Sequence, residues 1–319
     1  MRIGKLTVRE LKDSVIDVIG IKRSEVLASA GISKDCAAVK CDDIILLTTD
    51  PITASSHIAG KLAIIVASND VAAGGGEPFC CLLTVIAPKE ATAEDVKAVM
   101  TEAEKQAAAF NIDIVGGHTE FSPYVSRMVV SCTMLGRAKK IVGKELKSGA
   151  SIVMTKYAGL EGTVILANDA AALSLNRKER AEADALEDSL SVLKEGAAAA
   201  ALEISLMHDI TEGGVLGAVY EMCLAAGKGA DIYGEKIPIL PITDKICRAL
   251  KINPLKLISS GSMLVVTENP AELIDALAAE NINAVKIGEI NDTGAVRMFQ
   301  GGGFETVNDS RDEICGFLN

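Results

Sequence analysis

The sequence predicts an α/β (α+β) protein built as two domains. Three observations carry this. At 319 residues the chain exceeds one typical domain of roughly 100–200 residues. Its 49% hydrophobic content is ample for buried cores. Strand-like and helix-like patterns alternate in both halves, with no short-period repeat and no low-complexity segment.

In the first half, residues 37–48 read as two short extended segments around a turn at Cys41-Asp42-Asp43, the second ending in Thr48-Thr49-Asp50. Leu62, Ile65, Val66 and Val71 fall near helical spacing and predict a buried helix over 60–73. Residues 78–87 are rich in Leu, Val, Ile and Cys and read as a strand stopped by Pro88. Thr92 is placed as an N-cap, with Glu94 and Asp95 in the first turn of a helix reaching about Phe110. Strands follow at 112–115 and 128–136. A basic, glycine-containing stretch over 137–149 holds the domain boundary, giving domains 1–143 and 144–319. The second half predicts strands at 151–155, 262–267 and 285–290, and helices at about 159–173, 183–204, 212–226 and 271–280.

Composition excludes several classes. A formal net charge of −11 argues against a nucleic-acid surface, which needs clustered Lys and Arg. Aromatic content of 3% and the absence of Trp disfavour base-stacking platforms. No uncharged apolar run is long enough to span a membrane. The N-terminus alternates charges without an apolar core, so no signal peptide is expected and a cytoplasmic location is. The 8 Cys form no C-x-x-C pair and read as free thiols of a reducing compartment. P-loop, dinucleotide-binding and nucleophile-elbow patterns are absent. His118-Thr119-Glu120 spells the H-x-E of zinc deaminases, but the downstream P-C-x-x-C is missing.

Four acidic-and-glycine segments remain, each near a hydrophobic run. They are Thr48-Thr49-Asp50, then Asn69-Asp70 leading into Gly74-Gly75-Gly76, then Gly116-Gly117-His118-Thr119-Glu120, then His208 to Gly214. Carboxylates are the hard oxygen ligands that Mg²⁺ shares with phosphates, and glycines let backbone approach a ligand. Each piece also has a plain reading. Asp50 and Asp70 serve equally as caps, the three glycines as a turn after a helix, His118 as a core histidine, Glu120 as a strand-end acid and Asp209 as an N-cap.

In this order the segments resemble the aminoimidazole-ribonucleotide (AIR) synthetase-like, or PurM-like, superfamily over nearly the whole chain. The resemblance is nearest to its HypE hydrogenase-maturation branch. It implies an N-terminal domain whose sheet pairs across a homodimer to form a barrel, a C-terminal α/β domain, and a site for ATP and Mg²⁺. Carried over, Asp50, Asp70 and Asp209 match metal-ligating acids, with Glu120 as a further candidate ligand and Asp70 and Asp209 as catalytic residues. Gly31 and Asp35 match a segment that folds over the phosphates, and Lys34 beside them is a candidate to supply positive charge to a phosphate. Gly116, Gly117 and Thr119 match a phosphate-side turn, with His118 between them as a further candidate for binding the nucleotide, and Gly213-Gly214 match the start of a helix at the nucleotide.

The chain departs from the family pattern at named positions. Lys34 and Cys36 replace a glycine and a carboxylate. Glu120 replaces a lysine, Glu212 an arginine and Ser260 an acid. Cys315 is not terminal, unlike the modifiable cysteine of the branch. The implied function is Mg-dependent use of ATP to activate the oxygen of a small-molecule or peptide carboxamide. A non-catalytic nucleotide-binding or partner-binding paralogue is the alternative, as is a hydrogenase maturation factor working with a partner protein.

Overall fold

The computed structural model describes residues 4–5, 12–28, 38–40, 44–53, 58–138, 142–143, 145–169, 173–308 and 311–317. The chain divides into two units, Met1–Val71 with Gly76–Lys140 and Ala72–Gly75 with Ile141–Asn319.

The first unit holds a five-stranded sheet. Its strands are β1 (Gly4–Lys5), β4 (Ile44–Ile52), β5 (Glu77–Pro88), β6 (Asp113–Ser122) and β7 (Val129–Ala138), in the order β1-β6-β5-β7-β4. A separate pair is formed by β2 (Val26–Ala28) and β3 (Ala38–Val39). Only β5 and β6 run parallel; the helix between them, α2 (Ala93–Ala109), makes the crossover that a parallel pair requires. Thr92 caps α2 with a reciprocal capping box to Asp95, so the sequence signal acts as read.

Helix α1 (Ala59–Ala73) is buried almost all round. Gly60 lets it meet α2, since a Cβ there would stand 2.1 Å from the Val99 carbonyl. Gly136 of β7 does the same beneath Val71. Helix α1 therefore lies on the sheet face that carries Leu46, Thr48 and Asp50. The opposite face has no helix among the described residues. Leu47 there is 69% exposed and Leu82 37%.

The second unit is a seven-stranded sheet in the order β14-β13-β10-β12-β8-β11-β9. The strands are β8 (Ser151–Thr155), β9 (Leu206–Asp209), β10 (Gly229–Tyr233), β11 (Met263–Thr267), β12 (Ala284–Asn291), β13 (Val296–Gln300) and β14 (Gly303–Val307). Its helices are α3 (Leu160–Asp169), α4 (Arg177–Asp184), α5 (Leu193–Ala200), α6 (Gly214–Ala226), α7 (Pro241–Leu250) and α8 (Pro270–Ala279). Alternation along the strands feeds two cores. Ile152, Met154, Leu264 and Val266 pack against α6 through Val215, Val219 and Met222. Val153, Met263 and Val265 pack the other way, with Ala199 of α5 and Leu273 and Leu277 of α8. Strands buried on both faces read as continuous apolar runs, which is how β8 and β11 stand in the sequence.

The single helix expected over 183–204 is broken. A 3₁₀ turn at Ala185–Ser189 and an irregular link precede α5. Lys156 fixes the link, its Nζ donating to the carbonyls of Ser189 and Ser191 and pairing with buried Glu195. The described cysteines are free; Cys80, Cys81, Cys132, Cys223 and Cys247 are buried and Cys315 is exposed. Among the described residues no helix is long and apolar enough to cross a membrane.

Candidate functional site

The first unit brings two of the expected acids together. Thr48 and Asp50 sit two residues apart on β4 and so share a face. Helix α1 carries Asp70 onto that face. The Thr48 hydroxyl donates to Asp70 Oδ2 at 2.5 Å and lies 3.4 Å from Asp50 Oδ2. A hydroxyl has one proton, so it serves one carboxylate and leaves the other to a different partner.

The chemistry of this donor set fits Mg²⁺ shared with a polyphosphate, which takes one or two carboxylates and completes its shell with phosphate oxygens and water. It does not fit a cage made by protein alone. Among the described residues no group of three or more His, Cys, Asp and Glu is placed to hold a metal ion.

Glu120 is not brought to this pair. Asp50 is level with Cys132, Cys132 with Leu83, and Leu83 with Gly117. Asp50 and Gly117 thus share a row and a face, three strand spacings or about 14 Å apart. His118 and Glu120, on either side of Thr119, point to the opposite, open face, where His118 Nε2 lies 3.4 Å from Glu120 Oε2. The sheet itself separates Glu120 from Asp50 and Asp70.

Gly116 to Thr119 form part of β6 and not a turn. Gly117 is required by strand packing, since a Cβ would stand 1.7 Å from the Leu83 carbonyl oxygen and φ is +151°. Thr119 is buried beneath the covered face. Gly31, Lys34 and Asp35 lie outside the described residues, as does Cys36. Gly75, at φ +78°, ends α1, and Gly76 N–H donates to the Val71 carbonyl, so this glycine run acts as the helix-ending turn.

In the second unit Asp209 is buried at the end of edge strand β9. It is not the N-cap of α6. That position belongs to Gly213, in the left-handed region at φ +81°. Gly214 follows at φ +62°, where a Cβ would meet the Leu255 carbonyl at 2.7 Å. Two successive positive-φ residues make the sharp bend from β9 into α6 and turn the helix N-terminus, its positive end, toward the bend. Asp312 takes advantage of it. Its Oδ2 accepts from Gly213 N–H at 2.7 Å and its Oδ1 from Ile314 N–H at 2.8 Å.

One further acid was not singled out by the sequence. Glu161, in the first turn of α3, is 4% exposed, and its Oε2 is buried without a hydrogen-bond partner. Burial is the main reason its carboxyl is pushed up to about 7; Ser260 opposes the rise, and the charges of Asp312 and Glu212 add to it. The signal was available as an acid between two glycines, Gly159-Leu160-Glu161-Gly162. Glu161 meets Ser260, the position at which the family pattern carries an acid.

Residues 33–138 match the N-terminal domain of AIR synthase-related proteins, and residues 147–300 match the C-terminal domain. The chain belongs to the AIR synthase-related family. Its likeness runs to the HypE branch. It is 26% identical over 278 residues to a hydrogenase expression/formation protein of Methanocaldococcus jannaschii, spanning 83% of this chain and 80% of that one. It is 26% identical over 258 residues to the carbamoyl dehydratase HypE of Escherichia coli, spanning 78% and 75%. Among solved structures, the hydrogenase maturation protein HypE in complex with ATP superposes with a TM-score of 0.80 at 20% identity, over 96% and 95% of the two chains. A chain of a HypE–HypF complex superposes with a TM-score of 0.72 at 23% identity, over 83% and 90%. The mixed α/β, two-domain part of the fold expected from the resemblance is thereby met.

Proposed function

We propose that this AIR synthase-related protein is a HypE-like enzyme of hydrogenase maturation that uses ATP with Mg²⁺ to activate the oxygen of a carboxamide. The observation that carries the reading is the Asp50–Thr48–Asp70 cluster, whose two carboxylates suit a metal shared with phosphates. Kinship with a carbamoyl dehydratase and with a HypE that binds ATP supports it.

Bound Mg·ATP would supply an electrophilic phosphoryl group for the acceptor oxygen. The roles of this chain's residues follow. Asp50 and Asp70 hold the metal, and Thr48 orients Asp70. Asp209, buried and acidic, is the second unit's candidate metal-binding acid. The N-terminus of α6, opened by Gly213 and Gly214, is a candidate anion end of which Asp312 already takes the Gly213 N–H. Glu161 supplies, against Ser260, the carboxyl that position 260 lacks. Residues 1–143 act as the ATP-binding and dimerisation domain and residues 144–319 as its C-terminal companion. The open sheet face around Leu47 and Leu82 is the surface a second subunit would cover to close a barrel. The HypE–HypF likeness supports a maturation partner protein. A cytoplasmic location goes with this role.

A nucleotide-binding paralogue without turnover has one observation in its favour. Glu161, Glu212 and Asp312 gather acidic charge near the N-terminus of α6, which weakens the attraction of that end for a polyphosphate. ADP release with and without a carboxamide such as a carbamoylated cysteine peptide separates the two readings. Acceptor-stimulated release supports the enzyme; nucleotide binding with no release under either condition supports the paralogue.

A further inference from the structure

The outer end of the second unit's sheet carries a concentration of aromatic side chains. Tyr233 of β10 is level with Phe299 of β13, and Phe299 with Phe304 of β14. Their rings form one row, with centroids 6.5 and 5.5 Å apart. In a chain with 4 Tyr, 6 Phe and no Trp, three in one row on the sheet's uncovered side is unusual provision. Phe304 is 59% exposed. Arg297, held by two hydrogen bonds to Asp231, lies over both Phe rings. The row is therefore rigid before anything binds to it, and aromatic and Arg side chains of this kind anchor protein interfaces.

The row ends at a free strand edge. Gly301 and Gly302, at φ +59° and +81°, form the two-residue turn that joins β13 to β14. Both central residues have positive φ, the signature of a type I′ hairpin, whose closing pair, here Gln300 and Gly303, is hydrogen-bonded. Alternation then makes Phe299–Phe304 and Arg297–Thr306 the non-bonded pairs. The N–H and C=O of Phe304 and Thr306 consequently point away from β13, toward open solvent. Asn308 Nδ2 reaches the Thr306 carbonyl at 3.4 Å; among the described residues nothing pairs with the outward groups of Phe304.

The other side of β14 adds charge and space. Glu305 is exposed and makes no ion pair with a described residue. It lines a cavity of about 700 Å³ together with Asp244, Leu255 and Met298.

We infer that β14 is a docking edge for an extended segment of a partner protein, which adds as a strand beside Phe304 and Thr306. Strand addition draws affinity from main-chain hydrogen bonds and specificity from pockets for alternate side chains. Here the residue opposite Phe304 is aromatic or β-branched and continues the ring row. The residue opposite Glu305 is basic and pairs with Glu305 at the cavity, where Asp244 is already held by Arg248. A second copy of this chain fits less well. Its own β14 brings no basic residue, two copies of net charge −11 repel, and so short an edge falls below the area a stable dimer needs.

The test uses the full-length protein and a blocked eight-residue peptide alternating lysine with tyrosine and valine, followed by fluorescence anisotropy. Binding is expected, at least tenfold tighter than for the same peptide with glutamate in place of lysine. Thr306→Pro removes an outward N–H at an edge position that tolerates proline; it weakens binding at least tenfold while the melting temperature holds. Glu305→Lys reverses the charge preference. No binding by the wild-type protein, or equal binding by Thr306→Pro, overturns the inference. So does concentration-dependent self-association that Thr306→Pro abolishes, since that assigns the edge to a second copy.

Discussion

The Thr48 hydroxyl donates to Asp70 Oδ2 at 2.5 Å and stands 3.4 Å from Asp50 Oδ2, so one strand residue ties together two acids 20 positions apart in sequence. Two consequences follow for nucleotide binding. Asp70→Asn keeps the shape of α1 but removes a charged ligand, and should abolish Mg-dependent ADP release while leaving the melting temperature within a few degrees. Thr48→Val should weaken Mg-dependent ATP binding by about tenfold, as expected for losing one hydrogen bond to a charged group, roughly 1.5 kcal/mol. Thermal melts and ADP release with and without Mg²⁺ check the first, and titration calorimetry with and without Mg²⁺ the second.

Glu120 gives a contrasting expectation. It lies on the far face of the sheet from Asp50, with three strand spacings between their strands. Glu120→Gln should change the Mg-dependent affinity for ATP by less than twofold, where Asp50→Asn changes it by at least tenfold. Similar losses in both variants would place Glu120 in the metal's shell after all.

Buried Glu161 makes stability depend on pH. Its folded carboxyl is raised to about 7, above an ordinary glutamate near 4.5. A raised acid favours the folded state fully below the unfolded value, and this contribution is lost as pH climbs through the folded one. Stability should therefore fall between about pH 4.5 and 7, by roughly 3 kcal/mol from this group. Glu161→Gln should flatten that slope in urea denaturation across the range. An unchanged slope would mean that Glu161 is not the titrating group.

Packing offers a prediction independent of chemistry. A Cβ at Gly60 would stand 2.1 Å from the Val99 carbonyl oxygen, a backbone atom that cannot swing aside. Gly60→Ala should cost about 3 kcal/mol by forcing α1 and α2 apart. Gly303→Ala, with nothing within 4 Å of the added Cβ, should be near neutral by the same chemical denaturation.

Local signals carried much of this fold in the sequence. Thr92 with Asp95 marks the start of α2 as read, and the apolar spacing of Leu62, Ile65 and Val66 marks α1. Continuous apolar runs mark β8 and β11. What failed depended on partners distant in sequence. The 183–204 segment has helical composition throughout, but Lys156 takes the Ser189 and Ser191 carbonyls and interrupts it. Gly116-Gly117 looks like a turn, yet lies in β6 because a neighbouring strand needs the room at Leu83. The β13–β14 hairpin went unread although Gly301-Gly302 is a direct turn signal.

The site was legible as residue types and not as an arrangement. Residue type marks Asp50 and Asp70 as candidates, and nothing in the sequence marks Thr48 as the residue joining them. Whether Glu120 shares their face is a matter of sheet register, which is set by β5 and β7 and cannot be read from Gly116 to Glu120 alone. Glu161 does not stand out in the sequence because its chemistry arises from burial and from Ser260, Asp312 and Glu212, all distant in sequence.

The most direct test of the central claim is calorimetric titration of ATP into the full-length protein with and without Mg²⁺, with ADP followed in the same sample. The account predicts binding that requires Mg²⁺, slow ADP release without an acceptor, and loss of that release in Asp70→Asn. Binding that is indifferent to Mg²⁺, or no binding at all, would contradict it.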